Sequence, residues 1–411
     1  MRGGRGADTL EGMTSFPRTV LRTVAAALLV AVCAAAPPAP AAPVAPSDAG
    51  RPPEAVAARP AASLERAFTA YADGNRSPRH WTGGDSTYSI PTAAGELWAF
   101  SDTFLGTVRP DGSRPPVSGE GHGPTTPFVH NSFVLWNRTG PHTVTGTDRA
   151  GRPASAVPEK AGDWYWVRAG VPLGRDAAVV LARYARTGPG PLDMAWRANV
   201  LARVRPGHPV PAGRLTALPS AAGIAWGAWL ARDRDGTYVY GTEQAPGGGA
   251  FLHLARTRDP SLRTPWSYLA ADGSWSGREQ DSAPLKDADG RALRVSQELS
   301  VVRHGRWWAL VAQRSDVPFS PEVQLAWSLS PTGPFTRPLT VWRAPEAGPR
   351  GTYHNARVVA YNPHEHPELA HGEREMLISY NVNSLDPRDV LRQASVYRPR
   401  FVRITLGRRP G

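Results

Sequence analysis

The sequence of 411 residues contains a single cysteine, Cys33. It lies in an N-terminal segment that reads as a signal peptide, so cleavage would leave a chain without a thiol. Disulfides, zinc–thiolate sites and cysteine nucleophiles are therefore excluded for the mature protein. The residue before it, Val32, is not small, which argues against a lipid anchor at Cys33.

Long apolar runs are also absent. Val24 to Val32 is a short apolar stretch that follows Arg18 and Arg22, and Ala39-Pro40-Ala41 offers a small-residue cleavage site. No later segment approaches the ~20 apolar residues that a membrane-spanning helix requires. We predict a signal peptide over residues 1–41, export to the extracellular space and no membrane insertion. The Pro/Ala-rich composition of residues 42–60 predicts a disordered linker.

Lysine is scarce. The net charge is +12, yet Lys160 and Lys286 are the only lysines, and the arginines are scattered through strand-like segments. A nucleic-acid-binding protein usually gathers its basic residues in a tract or on a helix. The charge therefore indicates general attraction to an anionic envelope or polysaccharide.

Convincing amphipathic helices are missing beyond residues 61–71. Strand–turn–strand units recur instead, at intervals of roughly 50–65 residues. Their inner hairpins are DSTYSIP with ELWAFSD, WYWVRAGVPL with AAVVLARYA, IAWGAWLARDRDGTYVYGTE, ELSVVRHGRWWALVAQRS, and NARVVAYNP with EMLISYNVN. Five units of about four strands predict an all-β fold, a five-bladed β-propeller with a central pocket, as one domain over 61–411. A β-sandwich or two smaller β-domains is the alternative.

The first hairpin carries the most informative pattern. Its strands, GGDSTYSIP and ELWAFSDTF, are joined by Thr92 to Gly95. Folding about that connection places Pro91 opposite Glu96 and Asp85 opposite Asp102, with Cβ atoms about 4.5–5.5 Å apart. Two carboxylates that close repel, so one tends to keep its proton near neutral pH, as glycoside hydrolysis requires. The alternative is that each aspartate only ends a strand.

Further candidates lie where the other inner strands begin. Glu298 stands between apolar neighbours and is a third candidate acid, with an ion pair to an arginine as the alternative. The predicted substrate-binding residues are amides, aromatic rings, an acid and a histidine: Asn131, Trp164, Trp166, Trp226, Glu243, His354 and Asn355. Amides suit hydroxyl groups, and aromatic faces suit sugar rings. Glu243 could equally be a strand-end acid, and His354 could cap a strand or hold an axial water or ion.

Several common motifs do not occur. The group His364, Glu365, His366, His371 and Glu373 lacks the HExxH spacing of a zinc site, and nearby prolines favour a loop. There is no G-x-S-x-G elbow and no glycine-rich phosphate loop. SPTGPF is similar to the repeat loop of sialidases but lacks its aspartate. We predict no cofactor, with a structural or axial calcium ion as the alternative, and a monomer.

The segments GGDSTYSIP, GELWAFSDTFLG and HNSFVL resemble secreted actinobacterial proteins of the domain-of-unknown-function families 5005 and 4185. The segments GTYVYG and LARTRDP look like blades of the superfamily around glycoside hydrolase family 43. Relatives of family 4185 include endo-acting enzymes that cleave D-arabinan. The resemblance implies that Asp85 and Asp102 are the motif aspartates. The family 43 pattern implies Asp85 as its first acid, Glu298 as proton donor and Asp163 as the second-blade acid.

These observations predict a secreted glycoside hydrolase that acts on a furanose-containing, arabinan-like or other cell-envelope or plant polysaccharide. One carboxyl would protonate the leaving oxygen while another activates water or attacks the anomeric carbon. A non-catalytic glycan-binding propeller is the alternative, because the same tryptophans and amides would suffice. A structural or adhesion propeller without a pocket is a third reading.

Overall fold

Antiparallel β-sheets dominate the computed structural model, which describes residues 50–117, 125–160, 162–190 and 193–407. Five sheets of four or more strands follow one another along the chain. We number them I to V. The predicted signal peptide, with Cys33, lies outside the described residues.

The first two large sheets come from the first half of the chain. Sheet I contains Tyr88–Thr92, Gly95–Phe100, Ser132–Asn137 and Gly140–Val144. Sheet II contains Asp163–Leu173, Asp176–Arg186, Met194–Val204 and Leu215–Ala217. Two small sheets accompany them: Trp81–Gly84 with Thr103–Leu105 and Phe128–Val129, and Gly146–Thr147 with Pro153–Ala154.

The other three large sheets follow. Sheet III contains Ala225–Asp233, Gly236–Gln244, Ala250–Thr257, Ser267–Leu269, Trp275–Ser276 and Arg294–Val295. Sheet IV contains Leu299–His304, Trp307–Gln313, Glu322–Ser328 and Leu339–Arg343. Sheet V contains Val358–Glu365, Glu375–Ser384, Pro399–Gly407 and Glu54–Pro60. The α-helices are Ala62–Ala72 and Pro387–Arg392, and the 3₁₀ turns are Glu279–Asp281, Pro367–Leu369 and Ala394–Tyr397.

The predicted all-β fold class is confirmed. Strands such as Asp176–Arg186 are apolar in near-continuous runs, and the first seven residues of that strand are buried. Such runs form where both faces of a sheet are covered. The first strands of sheets I to V contact one another in sequence, each against the next. Successive sheets therefore pack against one another through their first strands.

Sheet V takes its outermost strand from the other end of the described chain. Glu54–Pro60 pairs antiparallel with Pro399–Gly407. The prediction of a disordered linker over residues 42–60 is therefore wrong for residues 54–60. An unpaired edge offers a row of backbone hydrogen-bonding groups, and their pairing outweighs the Pro/Ala composition of the segment.

The predicted helix forms over Ala62–Ala72 and packs where sheets I and V meet. Its Phe68 ring lies 5.0 Å from the Trp98 ring of sheet I and 5.3 Å from the Phe401 ring of sheet V. Aromatic rings at this spacing attract one another in addition to the apolar area that they bury. The helix therefore joins the first and last sheets. No helix among the described residues is long and apolar enough to cross a membrane.

A buried guanidinium connects three neighbouring sheets. Arg168 of sheet II donates to the Ala225 carbonyl at 3.0 Å and to the Thr242 hydroxyl at 2.9 Å, both in sheet III. It also donates to the Gln297 carbonyl at 3.0 Å, just before sheet IV. A buried charge is stabilised only when it is hydrogen-bonded in this way. Arg168 therefore fixes the relative positions of sheets II, III and IV.

The interface of sheets I and V also contains buried acids. Glu96 is only 4% exposed, and neither of its carboxylate oxygens has a hydrogen-bond partner. Burial, and next the nearby Glu368, raise the pKa of Glu96 well above its usual value. Burial also raises the pKa of Glu368 to about 7, although the Ser89 hydroxyl hydrogen-bonds to it. The neutral forms of these acids are therefore favoured in the folded protein.

We expect these two acids to cost the folded protein stability as pH rises above 4.5. Raised folded-state pKa values mean that folding takes up protons, so the contribution is complete below pH 4.5 and is lost as pH rises through the folded pKa, which is about 7 for Glu368. Glu96→Gln should therefore raise the melting temperature at pH 8, by roughly 2–4 °C. Near pH 4.5 the variant should show no gain in melting temperature. The measurement is thermal unfolding followed by circular dichroism.

Glu375→Gln is the matched control. Burial would raise the pKa of Glu375, but the His371 amide and the Arg403 guanidinium lower it below the ordinary value. Its contribution is present above that ordinary value and is lost as pH falls, so this variant should be destabilised at pH 8. Melting-temperature shifts of the same sign and size in both variants at pH 8 would contradict the raised pKa of Glu96.

Candidate active site

Asp85 and Asp102 are neighbours across the first hairpin, as the sequence predicts. Pro91 pairs with Glu96 and Ser89 pairs with Trp98, in the predicted register. Beyond the regular strand, the Asp85 amide donates to the Asp102 carbonyl at 3.1 Å. The two aspartates therefore leave the same end of sheet I together.

A local bend separates Asp85 from the strand that follows. Ser86 and Thr87 have φ angles of 67° and 42°. Left-handed conformations are unfavourable for such residues and persist where the surrounding structure holds them. The Ser86 hydroxyl donates to Glu298 Oε1 at 2.9 Å, so the bend brings the first hairpin to the start of sheet IV.

Asp85 has the most perturbed environment of these acids. Its Oδ2 accepts from the Tyr361 hydroxyl at 2.9 Å, whereas its Oδ1 is buried without a partner. Burial, then the charges of Asp102 and Glu298, raise the pKa of Asp85 well above the usual carboxyl value. The hydrogen bond from Tyr361 acts in the opposite direction. Asp85 is thus set up to hold a proton near neutral pH.

Asp102 lies in a contrasting environment, because two donors meet on one of its oxygens. His130 Nδ1 lies 2.8 Å from Oδ1, and Trp166 Nε1 donates to the same atom at 2.7 Å. The side chain is 22% exposed. Asp102 therefore accepts hydrogen bonds and keeps contact with solvent, while its neighbour Asp85 is desolvated.

Glu298 completes the group from sheet IV. Besides the Ser86 hydroxyl on Oε1, its Oε2 lies 3.2 Å from Nε2 of the buried His364. That contact has ion-pair distance but not the angle of a hydrogen bond. The predicted alternative for Glu298, an ion pair with an arginine, is not what the structure shows. Two carboxylates, Asp102 beside sheet I and Glu298 at the start of sheet IV, thus act electrostatically on Asp85.

Aromatic side chains of sheet II flank the acids. Trp164 stacks on the His130 ring at 5.0 Å, and Trp166 lies 4.5 Å from the Tyr184 ring. Both predicted tryptophans are therefore placed beside Asp102. Asp163, which the resemblance placed among the acids, instead contacts Arg183 at 3.4 Å.

Two predicted substrate-binding residues have structural surroundings instead. Trp226 is fully buried, and its Nε1 donates to Glu279 at 2.8 Å. The Asn131 amide donates to the Val157 and Tyr165 carbonyls and accepts from the Val157 amide. Asn199 bonds in the same way to backbone at the start of sheet III. These amides tether the chain as it enters the next sheet, so a substrate role for Trp226 and Asn131 is wrong.

The remaining predicted residues do not reach the acids. Glu243 pairs with His253 at 3.0 Å and is 43% exposed. His354 is exposed in a turn before sheet V, and Asn355 donates to Asp389 at 2.7 Å. The strand begins only at Val358, so the two residues that were predicted to open it lie outside it. Tyr361 occupies the place beside Asp85 instead.

The sequence reasoning missed four residues of the site: Ser86, His130, Tyr361 and His364. His130 stands directly before Asn131 in VHNSFVL, so its position next to a strand was a usable signal. His364 belongs to the group for which nearby prolines predict a loop, but it lies in a strand and is fully buried. Tyr361 offered no local signal, because its partner Asp85 is far away in the sequence.

The described residues include no metal-ligand cluster, and a cavity at sheet III lies away from these acids. Within the described ranges, no group of three or more His, Cys, Asp or Glu side chains is arranged to hold a metal ion. A cavity of about 440 Å³ lies at the Asp235-Gly236 turn of sheet III, lined by Arg232, Arg234 and Arg258 among others. It is at the opposite end of that sheet from the start of its first strand.

The chain is similar to solved structures of bacterial proteins. Among solved structures, a candidate hydrolase from Bacteroides ovatus is 20% identical, with 84% of this chain and 90% of that chain covered and a TM-score of 0.64. A GH43_1 enzyme from Xanthomonas citri is 12% identical, with 79% and 88% covered and a TM-score of 0.44. The Bacteroides structure shows a shared fold.

Sequence comparison adds the family. No curated protein matches this sequence. The model of a domain of unknown function, DUF5005, matches residues 66–406. That range includes every residue of the site described above, and the chain belongs to the DUF5005 family.

Proposed function

We propose that this protein is a glycoside hydrolase whose sheets I to V are the blades of a five-bladed β-propeller. The sequential contact of their first strands supports the ring, as does the contact of sheet V with sheet I through Tyr361 and Asp85. One observation carries the activity. A desolvated aspartate with a raised pKa lies beside two further carboxylates, and this separation of environments is what acid–base cleavage of a glycosidic bond uses.

In this proposal Asp85 is the general acid. Its proton passes to the oxygen that leaves the anomeric carbon, while water attacks that carbon from the other side. The carboxylates of Asp102 and Glu298 stabilise the positive charge that develops on the sugar ring. The resemblance to family 43 gives the proton to Glu298, but burial, which raises the pKa of Asp85 well above the usual carboxyl value, favours Asp85.

The proposed substrate is a polysaccharide that contains furanose rings, arabinan-like or another cell-envelope or plant polymer. The motif pair around Asp85 and Asp102 supports this class through its resemblance to D-arabinan-cleaving proteins. The rings of Trp166 and Tyr184, which are only partly buried, supply apolar faces beside Asp102. Sugar rings pack on such faces.

Loss of either buried acid should lower turnover strongly. Asp85→Asn and Glu298→Gln keep shape but remove the proton donor or the charge, so we expect a decrease in kcat of at least about 10²-fold. The measurement is release of reducing ends from arabinan, arabinogalactan and xylan. Asp111→Asn, in an exposed turn, is the control and should retain full activity.

A wild-type protein that binds these glycans but never cleaves them would contradict the proposal in favour of a binding module. Activity that survives in Asp85→Asn would remove Asp85 from the mechanism.

Tyr361→Phe should change the pH dependence. The Tyr361 hydroxyl stabilises the ionised form of Asp85, so its loss should raise the pKa of Asp85 further. Because a general acid must be protonated, the alkaline limb of the kcat/KM profile should move to higher pH. Tyr240→Phe removes a buried hydroxyl that bonds to the Pro331 carbonyl and should leave the limb in place. A limb that stays fixed or moves to lower pH in Tyr361→Phe would contradict the assignment.

We further propose that the protein is exported, which the signal-like segment over residues 1–41 supports. Expression of the full chain should yield protein in the culture medium with an N-terminus near Ala42, as read by mass spectrometry. Uncleaved chain confined to the cytosol, or a lipid on Cys33, would contradict export by this route.

A further inference from the structure

His130 and Asp102 form a hydrogen-bonded pair whose proton positions can be deduced. Trp166 Nε1 is only a donor, so Asp102 Oδ1 accepts from it, and the same oxygen lies 2.8 Å from His130 Nδ1. A carboxylate oxygen can only accept hydrogen bonds. The ring nitrogen that contacts it must therefore be a donor, so Nδ1 carries the proton. In the neutral imidazole, Nε2 is then left with a free lone pair.

The other ring nitrogen faces solvent. Among the described residues, no hydrogen-bond partner of His130 Nε2 occurs, and the atom is not among the buried polar atoms that lack one. The side chain is 23% exposed. Trp164 stacks on the ring at 5.0 Å, and the Phe128 ring meets it edge-on at 5.4 Å. The imidazole is therefore held in one plane with one basic nitrogen open.

We propose that His130 is the general base of the reaction and that Asp102 is its positioning residue. This inference rests on the proposed glycoside hydrolase function. In the step, His130 Nε2 takes a proton from water, the water oxygen bonds to the anomeric carbon, and the bond from that carbon to the leaving oxygen breaks. Asp85 gives its proton to the leaving oxygen. Solvent then returns the proton from His130 to Asp85, and the cycle balances.

The two other candidates for the base are less suited. Asp102 Oδ1 already accepts two N–H groups, which withdraws electron density from that carboxylate. Glu298 is largely buried, and its Oε2 lies against His364 rather than solvent. His130 is the basic group in this site that is both oriented by hydrogen bonding and open to a water molecule.

The test is His130→Ala with chemical rescue. We expect kcat to fall by about 10²–10⁴-fold on a glycan that the wild type cleaves. Added imidazole should restore part of the rate in proportion to its concentration, because the slot between Trp164 and Phe128 remains. His142→Ala removes an exposed histidine that bonds to Thr139 and should neither lose activity nor respond to imidazole.

The kcat of Asp102→Asn should fall by a similar factor. The kcat of the double variant should be no lower than that of either single variant, because the two residues act as a unit. A His130→Ala enzyme that is fully active, or that imidazole does not rescue despite a wild-type melting temperature, would overturn the role of His130.

The stereochemical outcome gives an independent check. Direct attack by water inverts the anomeric carbon, and ¹H NMR of the first product should show the inverted anomer. Retention would require a covalent intermediate on a carboxylate and would overturn His130 as the base. These failures leave wild-type hydrolysis intact, whereas a wild-type protein that cleaves no glycan defeats the proposed function and this inference together.

Discussion

Repulsion among three carboxylates is the constraint on which the described site depends. Asp85, Asp102 and Glu298 approach closely enough for each of the other two to raise the pKa of Asp85. Removing charge from water is costly unless hydrogen bonds or protonation compensate. The structure uses both means, since Asp102 receives two N–H groups while Asp85 is left to hold a proton. The different environments of two neighbours follow from this single constraint.

Arg168 supplies a positive charge in the neighbourhood of the acids. This guanidinium and Glu298 act with opposite sign on the Tyr88 hydroxyl, so both lie within electrostatic reach of it. Yet Arg168 spends its hydrogen bonds on backbone and hydroxyl groups of the neighbouring sheets rather than on an acid. Its position joins the sheets, and the carboxylates stay unpaired by arginine. An arginine salt bridge at Glu298 would instead have fixed that carboxylate as a structural anion.

Local pairing is the part of this site that could be predicted from sequence. The register of the first hairpin follows from a short connection and from alternation, so Asp85 and Asp102 were placed correctly. The side chains of Trp226 and Asn131 were misread because their surroundings come from a neighbouring sheet. A pattern within one strand does not reveal which side chains of the next sheet pack against it.

Contacts between segments that are distant in the sequence could not be predicted for a related reason. Tyr361 and His364 reach the acids of sheets I and IV only because sheet V lies beside both. Their strand also has an irregular register between these two residues, which turns their side chains in a way that simple alternation does not give. Nearby prolines therefore predict a loop for a histidine that is buried in a strand.

The strand Glu54–Pro60 has a consequence for how sheet V opens. It forms the outer edge of that sheet, whereas Tyr361, which contacts Asp85, lies in the strand at the opposite edge. All seven residues of the strand are exposed, so few apolar contacts hold it in place. Segments of this kind open locally with less free energy than the whole fold requires. Amide hydrogen exchange along Pro399–Gly407 would thus report how often this outer strand detaches while the rest of sheet V stays folded.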